Sequence, residues 1–194
     1  MSVTAVPLQP TPRRFVVMLW AGIIAAVAIA ASLAFAAPTN AVSAFLAENA
    51  RAEGVVETAS GLQYKVLTKG TGAAPTDEDV ALVNYDGTLT DGNRFDKSQQ
   101  PTPFPLGEQA AIPGFEEALK LMPKGAKYRF WIKPDLAYGA AERRDGAGNV
   151  VIPANSVLVF DIEMIDFLSK AVIRQMQMQQ QMMGGMGAPP PGAH

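Results

Sequence analysis

A chain of 194 residues with 16 basic and 18 acidic side chains, no cysteine and a single histidine, the terminal His194, has the length for one ordinary domain with accessories. Its formal net charge of −2 leaves no basic surface able to displace counterions from a polyanion, which excludes nucleic-acid binding. Without cysteine or an internal histidine there is no thiolate nucleophile, disulfide, zinc site of the usual kind or histidine-based triad, so chemistry must rest on carboxylates, hydroxyls, backbone groups or a shaped apolar cavity.

No charge occurs from Phe15 to Ala47, and residues 15–37 are almost unbroken apolar, with Gly22 and Ser32 the least hydrophobic. At ~1.5 Å per residue such a helix crosses a ~30 Å hydrocarbon layer with some tilt. Arg13 and Arg14 precede it and the first charge after it is Glu48. The positive-inside bias therefore predicts a cytoplasmic N-terminus (residues 1–14), a single transmembrane pass (residues 15–37) and everything from about Pro38 outside. Ala34-Phe35-Ala36 also offers the small-residue spacing of a signal-peptidase site, and cleavage near Ala36 would leave a soluble exported domain. The apolar run exceeds the ~7 to 15 residues of a signal's middle region, which favours a retained anchor.

Residues 38–59 read as a helical stalk or linker: Asn40 suits the N-cap of a helix over 41–53, and Gly54 suits its stop. From Leu62 the period changes to two. Leu62, Tyr64 and Val66 alternate with polar neighbours, as do Ala81, Val83 and Tyr85, then Tyr128, Phe130 and Ile132, then Leu158, Phe160, Ile162 and Met164; half-buried antiparallel strands are predicted. Asp86-Gly87 and Asp91-Gly92 mark turns or bulges. One short helix interrupts the strands, starting at Pro113, with Glu116 and Glu117 near its positive end and Phe115, Leu119 and Met122 on one face. The fold class is α+β, one sheet wrapped on one helix. Trp131 falls on the charged side of its strand and is expected to pack under a loop or the stalk. Beyond Phe167 the pattern is helical again, and residues 169–194 read as a Met/Gln-rich helix ending in a disordered Gly/Pro tail. Five of the nine methionines lie between Met176 and Met186. A solvent-exposed tail, an adaptable contact surface and cuprous-ion ligation through Met176 and Met178 are the readings such a run allows.

Asp77-Glu78-Asp79 and the pair Asp161 and Glu163 are read as solvated surface rather than catalytic carboxylates, since nothing apolar surrounds them, and no glycine-rich loop has phosphate-binding spacing. More specific is the convergence of Tyr85, Phe95, Phe104, Ile112, Phe115, Tyr138, Val151, Ile152 and Phe160 on inward or loop-mouth positions. The segments that carry them are Val83-Asn84-Tyr85-Asp86-Gly87, Asp91-Gly92-Asn93-Arg94-Phe95-Asp96, Phe104-Pro105-Leu106-Gly107, Ile112-Pro113-Gly114-Phe115, Pro134-Asp135-Leu136-Ala137-Tyr138-Gly139 and Ile152-Pro153-Ala154-Asn155-Ser156. In this order, over residues 60–168, they resemble the FKBP-type peptidyl-prolyl cis-trans isomerases, and the export segment, stalk and Ser60-Gly61-Leu62-Gln63-Tyr64 resemble bacterial envelope members.

The resemblance implies an antiparallel half-barrel curled around the short helix, with a proline-sized pocket between them. By analogy Tyr85, Phe95, Val151, Ile152 and Phe160 wall the pocket, Phe115 floors it and Phe104 joins the aromatic lining. The Ile112 N–H would hold a substrate carbonyl, the Tyr138 hydroxyl the carbonyl next to the isomerising bond, and Asp96 would stand at the rim. Neither cofactor nor metal is implied. The implied partners are proline-containing unfolded or nascent exported polypeptides, macrolide inhibitors, and the cytoplasmic membrane through the N-terminal helix, with the domain facing the periplasm. Phe115 stands where many relatives carry tryptophan, and Thr102 and Ala111 leave the rim barer. The segment 140–151, with Glu142-Arg143-Arg144-Asp145-Gly146, is longer than in minimal members and reads as a solvated flap, with tuning of substrate choice as the other reading. A client-binding chaperone of the same fold with little isomerase activity is the alternative.

Overall fold

The computed structural model describes residues 41–184, so the transmembrane or signal segment expected over residues 15–37 and the Gly/Pro tail lie outside the described residues. Among the described residues no helix is long and apolar enough to cross a membrane. The chain runs through α1 (residues 41–49), β1 (Val55–Glu57), β2 (Gln63–Thr68), β3 (Asp79–Leu89), β4 (Arg94–Lys97), β5 (Thr102–Pro105), α2 (Pro113–Leu119) and β6 (Lys127–Ile132). A 3-10 turn (Pro134–Leu136), β7 (Arg143–Arg144), β8 (Val150–Ile152), β9 (Leu158–Ser169) and α3 (Lys170–Gly184) complete it. Seven strands form one open antiparallel sheet in the order β1-β2-β6-β9-β3-β4, with β5 pairing the remaining stretch of β3; β7 and β8 form a separate hairpin.

The period-two pattern is realised where one face of the sheet meets α2. Ala81, Val83, Phe130, Ile132, Leu158, Ile162 and Met164 are fully buried together with Ala118, Leu119 and Met122. Gly114 lets α2 approach: a Cβ there would run into the Ile132 side chain and lie 3.1 Å from Leu136. The helix starts on Pro113 as expected, with Ile112 extended at its N-cap, and closes at Leu119, so Met122 is buried from the loop beyond it.

Three expectations meet a different outcome near the N-terminal edge. The helix expected over 41–53 ends at residue 49, where the chain passes through turns to Gly54 at φ +77° and then adds β1 to the sheet edge. Val66 is 37% exposed, although it pairs in register with Tyr128, at the last position before the β2–β6 pairing slips. Gln63, on the polar side of the alternation, is 1% exposed. Its carboxamide nitrogen donates to the Leu46 carbonyl at 2.9 Å and to Glu57 Oε2 at 2.7 Å, and its oxygen accepts from Asn49 Nδ2 at 2.8 Å. Trp131, its cross-strand partner, shares a groove with Phe45 and Asn49 of α1, so the stalk helix covers this end of the sheet's second face.

Asp86-Gly87 is no turn; it sits inside β3, with a register shift against β4 at Gly87 and Thr88. Asp91-Gly92 is a turn, closed by Gly92 N–H donating to the Leu89 carbonyl at 3.0 Å. Two of the five acidic residues read as surface are ion-paired: Asp161 receives both arms of Arg129 at 2.6 and 2.7 Å, and Asp77 receives Lys120 Nζ at 2.7 Å. Glu117 of α2 accepts from Thr58 and Ser60 at 2.7 to 2.9 Å, tying the helix to the β1–β2 turn.

Candidate functional site

The concave side of the sheet leaves a cavity between α2, β3, β9 and the loop after the 3-10 turn. It encloses about 180 Å³ and is lined by Tyr85, Asp96, Phe104, Ala110, Ala111, Ile112, Phe115, Tyr138 and Phe160. Two larger depressions, of about 390 and 510 Å³, the first sharing Tyr85 with the cavity, are lined largely by polar and ion-paired groups such as Asp86, Arg94, Arg129 and Asp161. Size alone therefore does not select the site; lining chemistry does, since ligand sites combine apolar walls with a few aimed polar groups.

The aromatic walls are set by strand and helix register. Phe115, 3% exposed on the first turn of α2, lies at the base with ring centroids 5.0 Å from Phe104, 5.1 Å from Phe160 and 5.7 Å from Tyr85. The Tyr85 and Phe160 contacts are edge-to-face, the geometry ring quadrupoles favour. Gly87 makes the wall possible, because a Cβ there would stand 2.8 Å from Phe95 and 2.9 Å from Phe160.

The polar groups fall into two kinds. Tyr85 and Asp96 are already engaged: the Tyr85 hydroxyl donates to Asp96 Oδ2 at 2.9 Å, and Asp96 Oδ1 accepts the Lys97 N–H at 2.8 Å. Burial, and then the bond to Asp96, push the Tyr85 phenol up to about 12, so it is a fixed donor and not an acid. The Tyr85 backbone is pinned as well, its N–H donating to Ser98 Oγ at 2.9 Å. By contrast, the Ile112 N–H and the Tyr138 hydroxyl donate to no group among the described residues. Ile112 owes this to its N-cap position, where the N–H precedes the helix ladder while its carbonyl accepts from Phe115 and Glu116. Tyr138 follows the 3-10 turn and is held by Gly139, at φ +59°, whose N–H bonds the Pro134 carbonyl and whose carbonyl accepts from Asn155.

Of the residues singled out in the sequence, Tyr85, Asp96, Phe104, Ile112, Phe115, Tyr138 and Phe160 come together in this cavity. Phe95 stands behind the wall, edge-on to Phe160 at 5.5 Å. Val151 is half-buried against the core and Ile152 is inside it at 5% exposure; neither lines the cavity. Both belong to β8, which pairs with β7, so the segment expected as a solvated flap is an exposed hairpin. Sequence reasoning missed Ala110, the Ser98 pin and the contact of Arg143, whose guanidinium lies over the Tyr138 ring at 4.9 Å. A cation–π contact between a two-residue strand and a loop leaves no periodic trace.

Residues 72–165 match the family model of the FKBP-type peptidyl-prolyl cis-trans isomerases, and residues 25–66 match that of the domain amino terminal to them. The chain is 50% identical over 124 residues to the FKBP-type peptidyl-prolyl cis-trans isomerase FkpA of Aeromonas hydrophila, covering 62% of this chain and 43% of that protein, so it spans less than half of that relative's length. A crystal structure of a peptidyl-prolyl cis-trans isomerase from Pseudomonas syringae superposes with a TM-score of 0.62 at 40% identity, covering 69% of this chain and 95% of that one. The structure of Escherichia coli FkpA gives 0.60 at 35% identity, over 84% of this chain and 74% of that one. An identity of 40% spread over nearly the whole of a solved isomerase, on an open antiparallel sheet packed against one short helix, settles descent: the chain belongs to the family of FKBP-type peptidyl-prolyl cis-trans isomerases.

Proposed function

We propose that the domain accelerates cis-trans rotation about X-Pro bonds in the cavity between α2 and the sheet. The observation that carries this is the pairing of an aromatic cavity the size of one small ring with two unspent donors at its edge, the Ile112 N–H and the Tyr138 hydroxyl. Rotation about an amide is opposed by ~18 to 20 kcal/mol of C–N double-bond character, and an X-Pro bond takes tens to hundreds of seconds unaided. No proton has to be transferred. The planar amide is strongly dipolar, so moving it from water among Tyr85, Phe104, Phe115 and Phe160 disfavours that resonance form, while donors matched to the twisted geometry lower the barrier further. Ile112 would hold a substrate carbonyl and Tyr138 the carbonyl adjoining the rotating bond. Tyr85, locked on Asp96, keeps the wall in place. Phe95 supports Phe160 from behind, and Val151 and Ile152 support the cavity from β8 rather than touching the proline.

The purified protein should speed cis-to-trans conversion of an X-Pro peptide well above the uncatalysed rate; a rate indistinguishable from the uncatalysed one at micromolar protein would overturn the reading. Its substrates are proline-containing unfolded or nascent exported polypeptides, because residues 15–37 carry the pattern of an export segment behind Arg13 and Arg14. The proposed organisation is a cytoplasmic stretch (1–14), an anchor (15–37), a stalk (38–59), the isomerase domain (60–168) and the Met/Gln-rich end (169–194). Macrolide inhibitors are a second ligand class. A volume of about 180 Å³ lies below the ~300 Å³ at which drug-sized pockets begin, so only one ring of such a ligand would be enclosed and the bare rim at Thr102 and Ala111 would give weak binding. A holdase role has one observation in its favour, the exposed methionines of α3: Met176 at 49%, Met178 at 52% and Met182 at 75%. Suppressed client aggregation without an isomerisation rate would select it.

A further inference from the structure

The hairpin β7–β8 is stiffly built. Asp145 closes its turn, with one oxygen accepting from the Ala147 and Asn149 N–H groups at 2.9 and 2.8 Å and the other from Asn149 Nδ2 at 3.0 Å. Arg144 is spent on Glu142 at 2.6 Å and on the Gly148 carbonyl at 2.7 Å. Arg143 has a different position: its guanidinium carbon lies 4.9 Å from the centre of the Tyr138 ring, within the ~6 Å reach of a cation–π contact, and it pairs with no carboxylate among the described residues. The carboxylates near it are engaged elsewhere: Glu142 faces Arg144, Asp145 is turned into the hairpin, and Asp96 across the cavity accepts from Tyr85 and the Lys97 N–H, uncharged donors that leave its negative charge in place. Arg143, in no ion pair among the described residues, thus stands on the ring whose hydroxyl is offered to the carbonyl beside the rotating bond. That carbonyl belongs to the residue before proline.

We propose that Arg143 is a specificity-determining residue that selects substrates with a carboxylate side chain directly before proline. The inference rests on the isomerase reading for the orientation of the peptide. Arg suits the task because its planar guanidinium stacks on a ring with one face and keeps its N–H edge for a carboxylate. The contact is exposed, so its effect is that of a surface ion pair, about three-fold between opposite charges at low salt, fading as salt is raised.

The test uses the whole protein and a peptide series differing only at the residue before proline: glutamate, glutamine and lysine. Both kcat/KM for isomerisation and the Kd of fluorophore-labelled peptides are measured. The expected result is a glutamate-over-lysine preference of about three-fold in both, lost in Arg143→Ala, reversed in Arg143→Glu, largely kept in Arg143→Lys and erased near 1 M salt. A wild-type ratio of one overturns the proposal, as does an Arg143→Ala loss equal for all three peptides, which would make Arg143 a support for Tyr138 alone. Binding preference without any isomerisation would sink the isomerase reading and leave the selectivity standing.

Discussion

Tyr85 and Tyr138 are phenols on the same cavity, and their partners separate their roles. Tyr138 has an unspent hydroxyl, so Tyr138→Phe would remove the hydrogen bond proposed to the substrate and none within the fold. That substitution should lower kcat/KM by roughly two- to ten-fold while leaving unfolding free energy within about 0.5 kcal/mol of wild type. Phe160→Ala is a poorer probe, because Phe160 is 6% exposed among three other rings and its truncation would cost about 3 to 5 kcal/mol of stability along with any activity. Tyr85 answers to pH instead. The folded chain holds its proton up to about 12, whereas the unfolded chain releases it near the ordinary 10.0. Below pH 10 both states are protonated and this group gives stability no slope; from there upward the unfolded state binds fewer protons and stability falls. Isomerisation measured between about pH 6 and 9 should be flat, since no titrating group is asked to move a proton. A bell-shaped profile would contradict the desolvation mechanism.

Elements place these residues, and the closeness of α2 to the sheet decides the cavity's depth. Gly114→Ala pushes a methyl group into Ile132 and Leu136 and should cost about 2 kcal/mol, read as a fall of several degrees in Tm, with isomerisation falling too as Phe115 is lifted from the base. Gly146→Ala, with nothing within 4 Å, serves as the control and should leave Tm and rate unchanged. Strands facing a single apolar layer were legible: Ala81, Val83, Phe130, Ile132, Leu158, Ile162 and Met164 are buried on the period of two that names them. Legibility fails where that premise fails. At Gln63 both faces of the sheet are covered, so a polar side chain is buried and satisfied by α1 and β1, and at Val66, where regular pairing ends, an apolar one is left exposed. The cavity was legible as a set of aromatics in order. Its exclusion of Val151 and Ile152 was not, because a three-residue strand paired with a two-residue one across a turn carries too little periodicity to announce which way it packs.

At the scale of the whole molecule, an ordinary domain with a net charge near zero stands behind a stretch from Phe15 to Ala47 that contains no charge at all. A prolyl isomerase needs no cofactor gradient or compartment for its chemistry, so the apolar stretch bears on where the reaction is wanted and not on how it proceeds. Twenty-three apolar residues behind Arg13 and Arg14 are long enough to cross a bilayer, and the anchor proposed over residues 15–37 would tether the chain to the membrane. Tethering of this kind would confine the cavity to chains emerging at that surface and raise their effective concentration at the site. In cells the protein should therefore fractionate with membranes, resist extraction by alkaline carbonate, yield an N-terminal sequence beginning at Met1 or Ser2, and be digested by protease added from the outer side. Recovery as a soluble protein beginning at Ala37 would show instead that the segment is cut after Ala36, and that the isomerase meets its substrates by free diffusion.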